Sequence, residues 1–335
     1  MYNHDTSSSA RCRPIAKREL RKLLYRTLGR TGLNVSLLSY GTGGPRMFGQ
    51  NEGMDRSGQV AIVRRCIDLG VNLFDTAKGY GRSESILGEC IKGIPRDSYH
   101  LITKWRFEEE PTGPQEESLI EGIEDSLRTL GTDHIEIYML HGLTDEWYDD
   151  GVERYYPILE RAREQGKIGA IGLSTQFMVD APQDGALISL TRNPDLWDVI
   201  MLKYGILNQY AAKEMLPLAI EHDVGIVNMA AARIRLPDPD LLEQTVAEWK
   251  EKGYLKLDSL PEKDPLGWLV HDDVESVVAA GYKFAADHPA IATVLTGTSN
   301  LEHLEQNARA LERPCLNSAD SQRLVDLFDH IVEYA

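Results

Sequence analysis

Eight short runs of apolar and β-branched residues recur along the chain: VSLLSYG, GVNLFDTA, SYHLITKW, HIEIYMLHG, IGAIGLST, DVIMLKYG, VGIVNMA and IATVLTGTS. Their near-continuous hydrophobicity, in place of strict apolar/polar alternation, marks strands buried on both faces. Between most of them lie amphipathic stretches of helical length. In SGQVAIVRRCIDLG, Val60, Val63, Cys66 and Ile67 gather near one face; in EESLIEGIEDSLRTLG, Leu119, Ile123, Leu127 and Leu130 do the same. Strands alternating with helices pair in parallel, and eight such strands are accommodated most economically by an α/β fold, a single closed (β/α)8 barrel.

Two segments depart from the repeat. LRKLLYRTLGRTGLN, residues 20–34, has the spacing of a small hairpin before the first strand, placed to close the bottom of the barrel. Residues 230–288 are far too long for an ordinary connection, yet Trp249, Tyr254, Leu257 and Trp268 argue for an ordered excursion after the seventh strand. The expected organisation is therefore a polar extension over 1–20 followed by one barrel domain over 21–335.

The 335 residues, 42% hydrophobic and 26% charged, suffice for a full core. No run approaches the ~18 apolar residues of a membrane span, and the polar opening lacks the apolar centre of a secretory signal, so a cytoplasmic protein is expected. The four cysteines have neither paired nor metal-type spacing and read as reduced thiols. A formal charge of −16 repels phosphate-rich partners, which disfavours nucleic acid and anionic membranes and leaves small molecules.

Chemistry on such a barrel is built at the carboxyl ends of the strands. Asp75 ends the second run, with Tyr80 just beyond it; Lys104 ends the third and His141 the fourth. Singly, Asp75 and Lys104 read as a turn residue and a structural ion pair, and His141 as a core histidine. On three successive strand ends they converge into a set suited to carbonyl reduction. As hydride reaches a carbonyl carbon, charge grows on oxygen and a proton must be supplied. A phenol, ordinarily titrating near ~10, serves if a neighbouring ammonium favours its ionised form. Lys104 is that ammonium, Asp75 the anion that keeps it charged in a dry pocket, and His141 a donor to the carbonyl oxygen.

GVNLFDTAKGYGRSESILGE, LITKW and IEIYMLHG resemble the signatures of the aldo-keto reductase superfamily, and YRTLGRTGLNVSLLSYGTGG resembles its opening. The likeness extends from about Tyr25 to about Leu311. It implies that Tyr80 is the general acid/base and that Asp75, Lys104 and His141 tune and orient it. It also implies an extended nicotinamide dinucleotide across the barrel mouth, without the Gly-x-Gly-x-x-Gly fingerprint, which is absent here. Thr42, Gly43 and Gly44 resemble the first cofactor contacts, together with Asp75. Ser174 would meet the carboxamide, with Thr175 replacing the family's amide side chain and Met201 its glutamine. Tyr204 keeps the local pattern, and Met229 stands where many relatives stack an aromatic ring on nicotinamide.

TGTSNLEHLEQNARAL resembles the segment for pyrophosphate and adenine: Gly297, Thr298 and Ser299 near phosphate, Gln306 and Asn307 near adenine, with His303 on the helix. A helix starting near Asn300 would aim unpaired N–H groups at an anion. The family prior puts NADP(H) first, and the Gly-Thr-Ser positions, where NADP(H)-binding relatives carry Lys or Arg, make NAD(H) a competitor. Trp105 is expected to wall the substrate pocket, with Trp147, Tyr148 and Trp268 as lid candidates; packing is the alternative for each. The acidic cluster Asp145, Glu146, Asp149 and Asp150 disfavours a strongly anionic substrate. The leading expectation is a nicotinamide-dependent oxidoreductase acting on an aldehyde, ketone or sugar, as a monomer or small homo-oligomer. The alternatives are a cofactor-binding regulatory subunit of the potassium-channel β type, which shares this barrel, and a barrel hydrolase with a metal at Asp75 and His141. No metal is expected.

Overall fold

The computed structural model describes residues 23–106 and 115–333; the polar extension over 1–20 lies outside them. The hairpin pairs β1 (Tyr25–Thr27) with β2 (Asn34–Ser36), Arg26 opposite Val35. Gly29 at its tip has φ +47°, and a Cβ there would stand 2.2 Å from the Gly225 nitrogen. Such close approach, at a backbone angle L side chains avoid, admits glycine alone. It lets the tip plug the barrel's lower end, where Leu28 and Val35 join Leu73, Ile102, Ile137, Val199 and Val227 in the inner core.

Eight parallel strands follow: β3 (Leu38–Gly41), β4 (Leu73–Asp75), β5 (His100–Trp105), β6 (Ile135–His141), β7 (Ile168–Ser174), β8 (Val199–Lys203), β9 (Gly225–Met229) and β10 (Ile291–Thr296). They close in chain order, β10 pairing with both β9 and β3. The first apolar run is not one strand but two. The chain turns at Leu37, where Ser36 spends its hydroxyl on the Leu38 carbonyl and its N–H on Asn72, leaving 34–36 to the hairpin and 38–41 to the barrel.

Outside stand α1 (Arg56–Leu69), α2 (Ser83–Cys90), α3 (Gln115–Leu130), the single turn α4 (Tyr148–Asp150), α5 (Tyr156–Glu164), α6 (Asp184–Arg192), α7 (Met215–Glu221), α8 (Pro239–Glu251), α9 (Val277–Asp287), α10 (Leu301–Ala310) and α11 (Ser318–Phe328). The apolar face expected for α3 is the buried one; α1 buries Ile62, Val63, Cys66 and Leu69, with Val60 and Ile67 at its margin. The N-cap of α2 is Arg82, and Ser83 follows it. It is that helix's first residue, and its hydroxyl is bonded to the Thr42 carbonyl and Gln50. The excursion is ordered through α8: Trp249 is buried against Phe328 of α11, whereas Tyr254 and Leu257 face water. Among the described residues, no helix is long and apolar enough to cross a membrane.

Candidate active site

Strand parity decides which side chains reach the barrel mouth, because successive residues point to opposite faces. On β4 Leu73 faces inward, and so does Asp75. On β5 Ile102 and Lys104 share the inner face, on β6 Ile137, Met139 and His141. Lys104 and Asp75, 0% and 3% exposed, form a buried ion pair in which Lys104 also donates to the Thr76 carbonyl at 2.8 Å. The ammonium lies 5.0 Å from the Tyr80 ring centre. The Tyr80 hydroxyl is 3.4 Å from His141 Nε2, the two rings meeting edge to face at 5.4 Å. Gly43 makes room for this phenol: a Cβ there would lie 2.5 Å from the Tyr80 ring.

The electrostatics are those of a dry site. Burial works to discharge Lys104, but Asp75 and Tyr80 outweigh it and hold its pKa above the ordinary lysine value. Burial raises Asp75 above the usual carboxylate range despite the attraction of Lys104. The expectation for Tyr80 is revised here: Lys104 and Arg233 lower its pKa, yet burial, aided by Asp75, wins and carries it above 10.0. Burial, then Lys104 and Arg106, push His141 down to about 3. At neutral pH the site therefore holds a protonated phenol, a neutral imidazole and an ammonium–carboxylate pair.

Inward parity also sets Ser174 on β7, Met201 and Lys203 on β8, and Met229 on β9 around the same mouth. Ser174 accepts from the Gly142 N–H, and Thr175 donates to Gln183. Thr42 is buried, and its Oγ1 and His141 Nδ1 have no hydrogen-bond partner among the described residues. Buried polar atoms left in this way are costly unless a bound group completes them, so they fit a polar ligand laid across the mouth. Gly44 stands beside them at φ +77°.

At the β10 end, Thr298 accepts Tyr40 on its carbonyl, and Ser299 is bonded to both Glu52 and Arg46. The start of α10 differs from expectation. The Asn300 side chain caps it, taking the N–H groups of Glu302 and His303 at 2.7 and 3.3 Å, so these do not point at an anion. Asn307 is buried and donates to Thr296; His303 and Gln306 are exposed.

Five aromatic expectations meet corrections or stay marginal. Trp105 follows Lys104 and so faces out of the barrel, where it packs on Tyr155 and closely overlies Gly122, with its indole N–H on Ser118; it walls no pocket. Tyr148 is fully buried under the helices, donating to Asn193 and accepting from Trp197, so it is not a lid. Tyr204, one past inward-facing Lys203, also turns outward and stacks on Phe284 of α9 at 5.6 Å, away from the mouth. Trp268 lies under Arg323 of α11, and Trp147 is half-buried against the outer core. Lys203 was not singled out in the sequence, although its place two residues after Met201 on an inward-facing strand end puts it at the mouth. Among the described residues no group of three or more His, Cys, Asp or Glu is placed to hold a metal ion, and Asp75 is engaged by Lys104.

A parallel eight-stranded barrel carrying this buried Asp-Lys pair against a tyrosine and a histidine at its carboxyl end defines a class of carbonyl oxidoreductase. Residues 39–328 match the family model described as "Aldo/keto reductase family", and the chain belongs to that family as an NAD(P)H-dependent oxidoreductase. It is 28% identical over 302 residues to the L-galactose dehydrogenase of Arabidopsis thaliana, covering 87% of this chain and 88% of that protein. It is 27% identical over 318 residues to the NADH-specific methylglyoxal reductase of Escherichia coli, covering 85% and 92%. The holo form of aldo-keto reductase AKR11C1 from Bacillus halodurans superposes with a TM-score of 0.68 at 26% identity, covering 92% of this chain and 98% of that one.

Proposed function

We propose that the protein reduces the carbonyl of an aldehyde, ketone or sugar, or runs the reverse oxidation, with Tyr80 as the acid/base. The observation that carries this reading is the convergence of the Tyr80 hydroxyl and His141 Nε2, 3.4 Å apart, above the buried Lys104–Asp75 pair. A nicotinamide cofactor, when bound, supplies or accepts the hydride. Two groups compete to be the proton donor, and their ionisation separates them. His141, at about 3, is neutral throughout the physiological range and has no proton to lose readily. Its contribution is a hydrogen bond to the carbonyl oxygen, which requires the Nε2–H tautomer. Tyr80 is fully protonated at neutral pH and gives its proton to the same oxygen as charge develops there. Lys104 then stabilises the phenolate left behind, and Asp75 keeps Lys104 charged.

Thr42, Ser174, Thr175, Met201 and Met229 would hold the nicotinamide half, and Gly297, Thr298 and Ser299 the phosphates and adenosine. On that reading the adenosine side favours NAD(H) over NADP(H). Arg46, the cation beside Ser299, is already paired with Glu52 at 2.5 Å, and Glu52 also accepts from the Ser299 hydroxyl. A carboxylate suits ribose hydroxyls and repels a 2′-phosphate. NADH is thus expected to bind more tightly than NADPH by quenching of protein fluorescence. Glu52→Gln is expected to shift that ratio toward NADPH by about tenfold, which corresponds to ~1.4 kcal/mol.

The reaction is tested with a panel of aldehydes, ketones, aldoses and alcohols against both cofactors, followed at the reduced-nicotinamide absorbance. Turnover that falls by about a hundredfold or more in Tyr80→Phe, with cofactor affinity kept, supports the role. Tight cofactor binding without turnover of any substrate would favour a regulatory subunit instead.

A further inference from the structure

Tyr80 enters the mouth from a loop, and a proton donor carried on a loop works only where something fixes that loop. The turn from Tyr80 to Ser83 closes on itself, the Ser83 N–H reaching the Tyr80 carbonyl at 3.0 Å. A second segment then holds it. In the connection between β3 and α1, Met47, Phe48 and Gly49 take left-handed backbone angles in succession, φ +45°, +59° and +78°. L side chains avoid that region, so the first two residues need fixing by their surroundings. Phe48 supplies the anchor: it is buried against Tyr40 with ring centres 5.7 Å apart, and its carbonyl accepts from Gln59 of α1 at 3.0 Å. The reversal brings Gln50 round to face the turn that carries the tyrosine.

The Gln50 carboxamide serves both segments. Its two amide hydrogens are shared among the Met47 carbonyl at 2.8 Å, the Ser83 hydroxyl at 3.0 Å and the Tyr80 carbonyl at 3.3 Å. Its oxygen accepts the Arg82 N–H at 3.0 Å. Gly81 has φ +59°, and a Cβ there would stand 3.2 Å from that oxygen, so glycine lets the amide come this close. We propose that Gln50 is the positioning residue of Tyr80: it holds the general acid by its main chain, so that the hydroxyl meets His141 Nε2, and it makes one body of the Tyr80 turn and the connection after β3. The proposal rests on the reading of Tyr80 as proton donor. An amide suits the task because it offers two donors and an acceptor at once and adds no charge to a site whose ionisation Lys104 and Asp75 help to set. Ser83 extends the tie to the barrel, passing its own hydrogen to the Thr42 carbonyl at 3.2 Å. Gln50 works at the backbone of Tyr80 and not at its hydroxyl, so its effect on the reaction passes through the placement of the phenol. A misplacement of about 1 Å at a reacting group can cost about a hundredfold in rate.

The test begins with Gln50→Leu, which keeps most of the side-chain volume and removes every bond of the carboxamide. Its kcat for carbonyl reduction is expected to fall by about tenfold or more, with NADH affinity, read by fluorescence quenching, kept within about twofold. In a Tyr80→Phe background the same substitution should change kcat by less than about twofold, because no hydroxyl is left to misplace. Ser83→Ala removes one arm of the tie and should give a smaller loss with the same non-additivity; it takes the place of Gln50→Leu if that variant does not fold. Fluorine NMR of protein labelled with meta-fluorotyrosine gives a readout free of turnover, the Tyr80 signal being assigned by its absence from Tyr80→Phe. In Gln50→Leu that signal should shift or broaden while those of tyrosines distant from the turn stay in place. Equal losses in both backgrounds, a defect confined to NADH affinity, or an unmoved Tyr80 signal overturns the proposal. A Tyr80 signal that moves in a protein reducing no carbonyl with either cofactor leaves the tie standing and sinks the oxidoreductase reading alone.

Discussion

Replacing Lys104 by methionine separates a structural ion pair from a catalytic one. The substitution fills much the same volume, but it strands the Asp75 carboxylate, 3% exposed, with no cation beside it. Removing one partner of a buried pair costs about 3–5 kcal/mol, whereas replacing both with neutral groups is often close to neutral. Lys104→Met should therefore lower the urea midpoint markedly at pH 7, and the double variant Asp75→Asn/Lys104→Met should recover most of the loss. The pH dependence has a definite sign. Asp75 is already raised by burial, and losing Lys104, which lowers it, raises it further. The folded variant then binds a proton more strongly than the unfolded chain, so its deficit shrinks as pH falls through the folded pKa. The deficit is gone below the unfolded aspartate value of about 3.9. Turnover behaves differently: neither variant has an ammonium near Tyr80, so both should stay impaired by about a hundredfold or more whatever their stability. The assay is urea unfolding followed by tryptophan fluorescence between pH 4 and 8, with kcat measured on the same preparations. A single variant as stable as the wild type, or a double variant that regains turnover together with stability, refutes the reasoning.

Three further outcomes follow from the geometry. Gly43→Ala brings a methyl to 2.5 Å from the Tyr80 ring, so kcat should fall sharply with only a small change in melting temperature; retained kcat would mean the phenol is not held where it works. Because burial raises the Tyr80 pKa, the oxidation rate should still climb as pH approaches 10, whereas reduction stays level through neutrality; an oxidation plateau near pH 7 would contradict the direction found here. Trp105→Ala should cost about 3–5 kcal/mol of stability and leave the ranking of substrates unaltered, since the indole lies outside the barrel; a changed ranking would return it to the pocket.

Much of this was legible before any coordinates. The count and the parallel order of the strands followed from eight apolar runs separated by amphipathic ones, because burial on both faces leaves a period that composition alone records. Three strand-end polar residues, Asp75, Lys104 and His141, stood out because an apolar run that ends on a charge has only the barrel mouth in which to place it. The division of the first run between hairpin and barrel was not legible. It depends on Asn72 taking the Ser36 N–H, a contact between residues 36 positions apart. The cap on α10 was equally hidden, since Asn300 reads as a phosphate neighbour or as a cap according to where its side chain turns.

Two of the expectations that failed at the site, those for Trp105 and Tyr204, share one cause. A strand's two-residue period fixes which neighbours share a face, so an inward Lys104 requires an outward Trp105, and an inward Met201 requires an inward Lys203 and an outward Tyr204. Resemblance assigned roles by position in a motif, and Tyr204 received one from its pattern; parity removes it and gives the mouth to Lys203 instead. The same rule explains why the tetrad needs four different segments. Asp75, Lys104 and His141 are each the inward residue at or next to the end of its own strand, while Tyr80 enters from a loop. Gly43 is what keeps that loop residue over the other three, because the space for the phenol is the space a side chain there would occupy.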